Sequence, residues 1–464
     1  MRRVAGPDAT FLSAELPQWH FHISALLILE SAESDRFSLD SVRESLANRL
    51  HKVPQFRWKL EPDPFAGLGR PIWVDDPQFD IDRHLHHVGL PGDGDLEELG
   101  TLVGTLVSTK LNRARPLWEM WLIDGLEGDR SALLAKVHHS IIDGESGAEL
   151  VTLLFDVEAD PPPEPDPPPW QPEDPPGRDD LLRIAAEDMV EMPGRALRLG
   201  RQIVQQGATY LSHTAGIDRP PHPFEAPRTP LNGELTPDRS FACTALDLDL
   251  VKAVKGAAGV KLNDVVLGVV AGALRAHLDE KGELPESPLV AQVPVSMRND
   301  GDEGHVGTKV SMMFSSLYTD LADPTERLVA IHRNTSKAKL MRSALTAQRM
   351  MNLTDTLPSA LLAAAARTWT AAGIDSSMRP VFNLIVSNVP GPPFDLFLAG
   401  ARIESMYPMG PLLFGSGLNV TVVSTAHRLD VGLLTCPDLV PDGWDIARHV
   451  PAALDELAAA FDVG

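Results

Sequence analysis

The sequence predicts a mixed α/β fold in two domains, and three observations carry that reading. The chain has 464 residues, more than a single hydrophobic core usually serves. Strand patterns and helical patterns alternate along both halves. Between the halves, residues 161–177 hold ten prolines, a density that no helix or central strand survives. The division expected is a first domain over 1–158, a proline-rich linker with an amphipathic helical segment over 159–220, and a second domain over 221–464.

Composition narrows the class of function. Hydrophobic residues make up 43% and charged residues 23%, ordinary values for a globular protein. A formal net charge of -23 argues against nucleic-acid binding and against broad docking on anionic membranes, although a local basic patch could still dock. The two cysteines, Cys243 and Cys436, sit in no metal-like spacing and read as reduced thiols in a cytoplasmic protein. Residues 1–18 contain no apolar signal-peptide core. No run reaches the roughly 18 apolar residues of a membrane span; the nearest, Leu357 to Ile374, carries Arg367.

The elements follow in order. Pro7 to Glu15 reads as a short helix with Asp8 as its cap, His22 to Leu29 as a strand, and Ser38 to Leu50 as a helix with apolar residues at helical spacing. Pro54 to Leu60 and Pro71 to Val74 read as strands. Arg83 to Val88 is expected to be a strand whose three imidazoles face solvent, since no carboxylate or cysteine lies at ligand spacing. A helix over Leu96 to Leu111 precedes a strand from Arg115 to Leu126 with an Asp124-Gly125 turn signal, then a strand over Ser131 to Val137. Ser146 to Glu149 has capping-box spacing and opens a helix to about Phe155. The stretch Asp180 to Leu211 is amphipathic and carries Arg183, Arg195, Arg198 and Arg201. It fits a membrane-surface helix and a helix packed on the domain junction equally.

In the second half a strand covers Ser240 to Leu246. Asn263, expected as N-cap, and Asp264 open the most apolar helix, Val265 to Leu278. Strands follow over Leu289 to Val295 and Lys309 to Leu317, helices over Thr325 to Leu340 and Ala344 to Ala372, and a strand over Phe382 to Val386 that ends in Ser387-Asn388. Asn419 to Ser424 and Leu429 to Thr435 read as an antiparallel pair, and Trp444 to Phe461 as a terminal helix capped by Asp442.

The chemistry concentrates in Lys136 to Gly144, which contains His138, His139, Asp143 and Gly144 in an H-H-x-x-x-D-G pattern. It occupies a tight strand-to-helix connection. An imidazole titrates near neutrality, so His139 can take a hydroxyl proton as that oxygen attacks a carbonyl. No G-x-S-x-G elbow is present, and no cysteine lies near the histidines in sequence, so attack on an already activated acyl donor fits better than an acyl-enzyme. Neighbouring strand residues point to opposite faces, so His138 and His139 are poorly placed to share a metal, and none is expected. Asp143 could orient His139 or pair with a distant arginine.

With these residues the chain resembles the bacterial wax ester synthase/diacylglycerol acyltransferase family, within the CoA-dependent acyltransferase superfamily of chloramphenicol acetyltransferases and peptide-synthetase condensation domains. The resemblance spans nearly the whole chain. Its blocks are Asp8 to Leu12, Pro116-Leu117-Trp118, the histidine motif, Leu231-Asn232-Gly233, Asn263-Asp264, Pro294 to Arg298, Ser387 to Pro392, Gly410-Pro411 and Gly417 to Val422. It implies two chloramphenicol-acetyltransferase-like domains side by side, with the active site at their interface. His139 would be the catalytic base and His138 its support. Asp143 would be a strut, expected to pair with Arg298, and Gly144, Asn263 and Asp264 would support the site. Ser387, Asn388, Asn419, Trp118 and Glu15 are candidates for oxyanion or substrate contacts. The substrates implied are a fatty acyl-CoA, as co-substrate with no bound cofactor, and diacylglycerol or a long-chain alcohol. A peripheral place on the inner membrane face or on lipid droplets goes with them. The alternatives are another alcohol or amine acceptor, or a catalytically idle lipid-binding protein. The chain departs from the family pattern at Trp19-His20-Phe21-His22, Gly307-Thr308 and Thr435 to Asp438.

Overall fold

The computed structural model describes residues 2–4, 6–61, 71–141, 147–162, 165–184, 221–222, 224–296, 310–342 and 378–464, with isolated positions between 186 and 194 and at 364 and 368. The first half contains β1 (Arg2–Arg3), α1 (Gly6–Ala14), β2 (His22–Glu30), α2 (Leu39–Arg49), β3 (Trp58–Glu61), β4 (Ile72–Asp75), β5 (Leu85–Gly89), α3 (Leu96–Val107), β6 (Trp118–Leu126), β7 (Arg130–His138) and α4 (Gly147–Leu154). The second contains β8 (Ser240–Asp247), α5 (Leu248–Ala258), α6 (Leu262–Glu280), β9 (Val290–Ser296), β10 (Val310–Ser316), α7 (Pro324–Arg342), β11 (Leu384–Pro390), β12 (Phe397–Leu398), β13 (Ala401–Met409), β14 (Leu418–Ser424), β15 (Arg428–Thr435) and α8 (Gly443–Ala460).

Among the described residues these strands form two six-stranded sheets and one three-stranded sheet. The first large sheet runs β12-β13-β2-β7-β6-β5, the second β10-β9-β11-β14-β15-β8, and the small one β1-β4-β3. Residues 397–409, counted with the second half in the sequence reading, are thus strands of the first sheet, where β13 pairs antiparallel with β2.

Strand β7 lies in the middle of its sheet and is buried on both faces. Leu133 and Val137 point into an outer core with Leu46, Phe56 and Trp118. Ala132 and Leu134 point the other way, into a layer shared with the second half. That layer joins Leu26 and Ile28 of β2 and Leu99, Val103 and Val107 of α3 to Phe241, Cys243 and Leu434 of the second sheet. Each fully buried leucine here is worth roughly 1.5–3 kcal/mol. Helix α3 comes very close to β8: a Cβ on Gly100 or Gly104 would stand 2.7 Å from the carbonyl oxygen of Phe241 or Arg239. A third core, around Leu267, Val270, Val420 and Leu454, belongs to the second half alone. Among the described residues no single helix is long and apolar enough to cross a membrane.

Several elements differ from the sequence reading. Asp8 lies inside the first turn of α1, which starts at Gly6. Pro54–Arg57 is a 3-10 turn and only Trp58 onward is strand, because proline at its first position suits a helical turn. His84 is buried, not solvent-facing: its ring stacks on Trp118 at 4.5 Å, and Nδ1–H donates to the Trp118 carbonyl at 2.8 Å. Helix α6 takes Lys261 as its N-cap, which places Asn263 in the first turn. Asp442 stands at the N-cap of α8, but its carboxylate binds Lys281 and His277 rather than the helix end. Strand β13 is absent from the sequence reading, and it holds Pro408, a residue uncommon in a strand interior.

Among its described residues the proline-rich segment has no regular structure but is docked. Trp170 meets Phe79 edge-on at 6.1 Å and takes the Arg57 guanidinium on its face at 5.1 Å. The helical residues 178–184 follow, and Ile184 packs on Ile72 and Val74 of the small sheet. The rest of the expected amphipathic stretch, and the helix expected over 344–372, lie almost wholly outside the described residues.

Candidate active site

Residues of even number on β2 and β7 share the face that meets the second half. His22 pairs with His138 across the two strands, and Ser24 with Lys136. The strand ends at His138, and the chain turns. His139 sits in that turn, its backbone N–H donating to the Phe21 carbonyl at 2.8 Å. The Phe11 ring of α1 packs 4.5 Å from the His139 ring, and Phe11 in turn lies 5.4 Å from Phe21. The imidazole therefore stands in an aromatic recess with only part of its surface accessible.

The two histidines have different surroundings. His138 is 1% exposed. Its Nδ1 accepts from the Ser140 hydroxyl at 2.6 Å and from the Ser140 N–H at 3.1 Å, which places the proton of the neutral ring on Nε2. Burial, with Arg113, His139 and Lys110 nearby, holds its pKa down at about 3. His138 is thus neutral near pH 7, with Nδ1 committed to Ser140 and Nε2 buried without a hydrogen-bond partner. His139 is also pushed below the ordinary imidazole value by burial, opposed only by its own backbone carbonyl. Its Nδ1 is buried with no hydrogen-bond partner. In the neutral ring one nitrogen carries no proton, the state a general base requires.

Further histidines surround the pair. His22 donates Nε2–H to the Val107 carbonyl at 3.0 Å, and His20 donates to Pro17 at 2.7 Å. Their rings stack at 5.4 Å. Desolvation holds both neutral, His20 at about 4. Lys136 is fully buried, and its ammonium donates to Leu106 and Thr109 of the α3 end and lies 3.7 Å from Glu119. Ser140, Phe11 and Lys136 all fall inside stretches that the sequence reading singles out, but it gives none of them a role of its own. The signal for Lys136 is present in the sequence, because it shares the two-residue period of His138.

Of the expected site residues, Asp143, Gly144 and Arg298 lie outside the described residues, and so does the expected Asp143–Arg298 pair. Trp118 is fully buried, and its indole N–H donates to the Phe56 carbonyl at 2.8 Å, so no donor is left for a substrate. Glu15, with its side chain 4% exposed, is held by Arg113 at 2.8 Å and ties α1 to the loop after α3. Asn419 donates to the Pro411 carbonyl at 3.0 Å and accepts from Thr421 at 2.7 Å, which occupies its amide. Ser387 and Asn388 are half-buried and continue β11, paired in parallel with Thr421 and Val422 of β14. Asp264 is 1% exposed. It accepts from the Lys261 N–H at 3.0 Å, from His332 Nδ1–H at 2.6 Å and from the Thr335 hydroxyl at 2.7 Å, clamping α6 to α7.

Residues 4–266 match the wax ester synthase/diacylglycerol acyltransferase catalytic domain, and residues 306–458 match the C-terminal domain of the same family. The chain belongs to that family. A Mycobacterium tuberculosis protein with a provisional diacylglycerol O-acyltransferase name is 38% identical over 470 residues, covering 100% of this chain and 91% of that protein. The wax ester synthase/diacylglycerol acyltransferase of Marinobacter aquaeolei VT8 is 28% identical, with a TM-score of 0.71 and full coverage of both chains. The starter condensation domain of rhizomide synthetase is 18% identical, with a TM-score of 0.56 over 98% of this chain and 94% of that one. The fold is therefore the mixed α/β, chloramphenicol-acetyltransferase-like architecture shared by wax ester synthase/diacylglycerol acyltransferases and condensation domains. The chain is an acyltransferase by family.

Proposed function

We propose that the protein transfers a fatty acyl group from acyl-CoA to the hydroxyl of diacylglycerol, with long-chain alcohols as second acceptors. The observation that carries this reading is His139, held in an aromatic recess at the end of β7 with burial favouring its neutral form. His139 Nε2 takes the acceptor's hydroxyl proton, the oxygen attacks the thioester carbonyl, and the proton passes to the departing thiolate sulfur. No acyl-enzyme intervenes. His138 fixes the turn through Ser140. The Asp264 clamp steadies α6 against α7 in the second half.

The test uses purified protein, hexadecanoyl-CoA, and diacylglycerol competing with hexadecanol, with products resolved by mass. Wild-type protein should release CoA and form triacylglycerol, with wax ester second. His139→Ala should lose ester formation by at least about a thousandfold while its melting temperature stays within a few degrees. Undiminished CoA release by that variant would remove His139 as the base. Products lacking both esters would move the reading to a different acceptor.

A further inference from the structure

The loop that leaves α3 reads Ser108-Thr109-Lys110-Leu111-Asn112-Arg113-Ala114-Arg115, three cations with no acid, in a chain of net charge -23. It is built against the site. Val107, just before it, accepts from His22, and Arg113 binds the Leu12 carbonyl next to Phe11, the residue packed on His139. One carboxylate, Glu15, faces both Lys110 at 3.9 Å and Arg113 at 2.8 Å. It is only 4% exposed, while the two cations are 33% and 46% exposed. Positive charge therefore outweighs negative at this surface. The carbonyls at the helix end, which would repel an anion, are already engaged: Gly104 by Ser108, Leu106 by Lys136 and Val107 by His22.

We propose that this loop holds the phosphate groups at the nucleotide end of the thioester donor, with Lys110, Arg113 and Arg115 as the binding cations. The inference rests on the acyl-CoA reading above. The pantetheine arm separates the thioester from the phosphates, so cations at the surface beside α1 can hold one end while the carbonyl reaches His139. Arginine forks and lysine ammonium groups are suited to phosphate oxygens, and a local positive mouth on an acidic protein concentrates an anionic substrate there. An anionic lipid surface is the less favoured occupant. The exposed large apolar side chains among the described residues include none from this loop, and a membrane-docking segment normally adds apolar insertion to its charge.

The experiment compares hexadecanoyl-CoA with hexadecanoyl-pantetheine, the same thioester without phosphates. The variant is Lys110→Gln with Arg115→Gln; Arg113 is kept because it holds Glu15. KM for the CoA thioester should rise about tenfold, with a flatter salt dependence, and KM for the pantetheine thioester should move less than about twofold. The control, Lys252→Gln with Lys255→Gln on α5, makes the same change in net charge at a remote surface and should alter neither. Equal shifts on both thioesters, or no shift, would overturn the proposal. So would unchanged KM together with lost binding to phosphatidylglycerol vesicles, which would assign the cations to lipid headgroups. Wild-type protein that turns over both thioesters with equal efficiency overturns this inference alone; turnover of neither overturns the transferase reading and this inference with it.

Discussion

His138 and His139 are adjacent and chemically identical, yet their environments assign them different work. His138 spends Nδ1 on Ser140 and is held neutral down to about pH 3. His139 has its backbone fixed by Phe21 and its ring in partial contact with the surface. Burial lowers its pKa below 6.5, so on acidification the free base persists further than in an exposed histidine. The acid limb of kcat/KM should therefore be centred below pH 6.5, as a pH–rate profile with a neutral acceptor would measure. A limb centred above pH 7 would contradict His139 as the base. The pattern H-H-x-x-x-D-G is readable as chemistry because four fixed positions within seven residues seldom coincide by chance. The commitment of Trp118 and Asn419 to the carbonyls of Phe56 and Pro411 is not readable. Those partners come from sequence separations of 62 and 8 residues and from backbone, which carries no sequence mark.

At the scale of elements, β7, α3, α6 and β14–β15 are legible from periodicity, because each has a sustained apolar pattern. Strand β13 is not. Its Arg402-Ile403-Glu404 alternation is short, Pro408 interrupts it, and its partner β2 lies some hundreds of residues earlier. One contact ties this strand to the second sheet with no room to spare: a Cβ on Gly432 of β15 would stand 2.0 Å from the Pro408 carbonyl oxygen. Backbone cannot rotate away as a side chain can. Gly432→Ala should thus cost about 3 kcal/mol or more in denaturant unfolding. Gly256, inside α5, is the counter-case, since a methyl group added there would meet nothing within 4 Å. Gly256→Ala should add about 0.5–1 kcal/mol through helix propensity. Equal effects of the two substitutions would mean that the sheets do not meet at Gly432.

At the scale of the whole molecule, stability should depend on acidity through the buried imidazoles. His20, His22, His138 and His139 all have lowered pKa values in the fold, to about 4 for His20 and about 3 for His138. Unfolded, each binds a proton near pH 6.5, so the unfolded chain takes up more protons as pH falls and gains stability relative to the native state. Asp430 acts in the opposite sense, since burial raises its carboxyl to about 6 and the folded state then binds the extra proton. His84 and His277 are lowered by burial as well, so among the described residues six imidazoles stand against this one raised carboxyl. The urea midpoint should fall steadily from pH 7 to pH 4.5, and His20→Gln should flatten that slope; a midpoint independent of pH would refute the neutral cluster. Topology adds a constraint of another kind. Because β13 closes the edge of the first sheet beside β2, that sheet is incomplete until residue 409 has left the ribosome. For most of the chain's synthesis, β2 presents an open row of amides and carbonyls to any neighbouring strand. The nascent first half therefore has to be sheltered, or to stay unfolded, until its last strand is made.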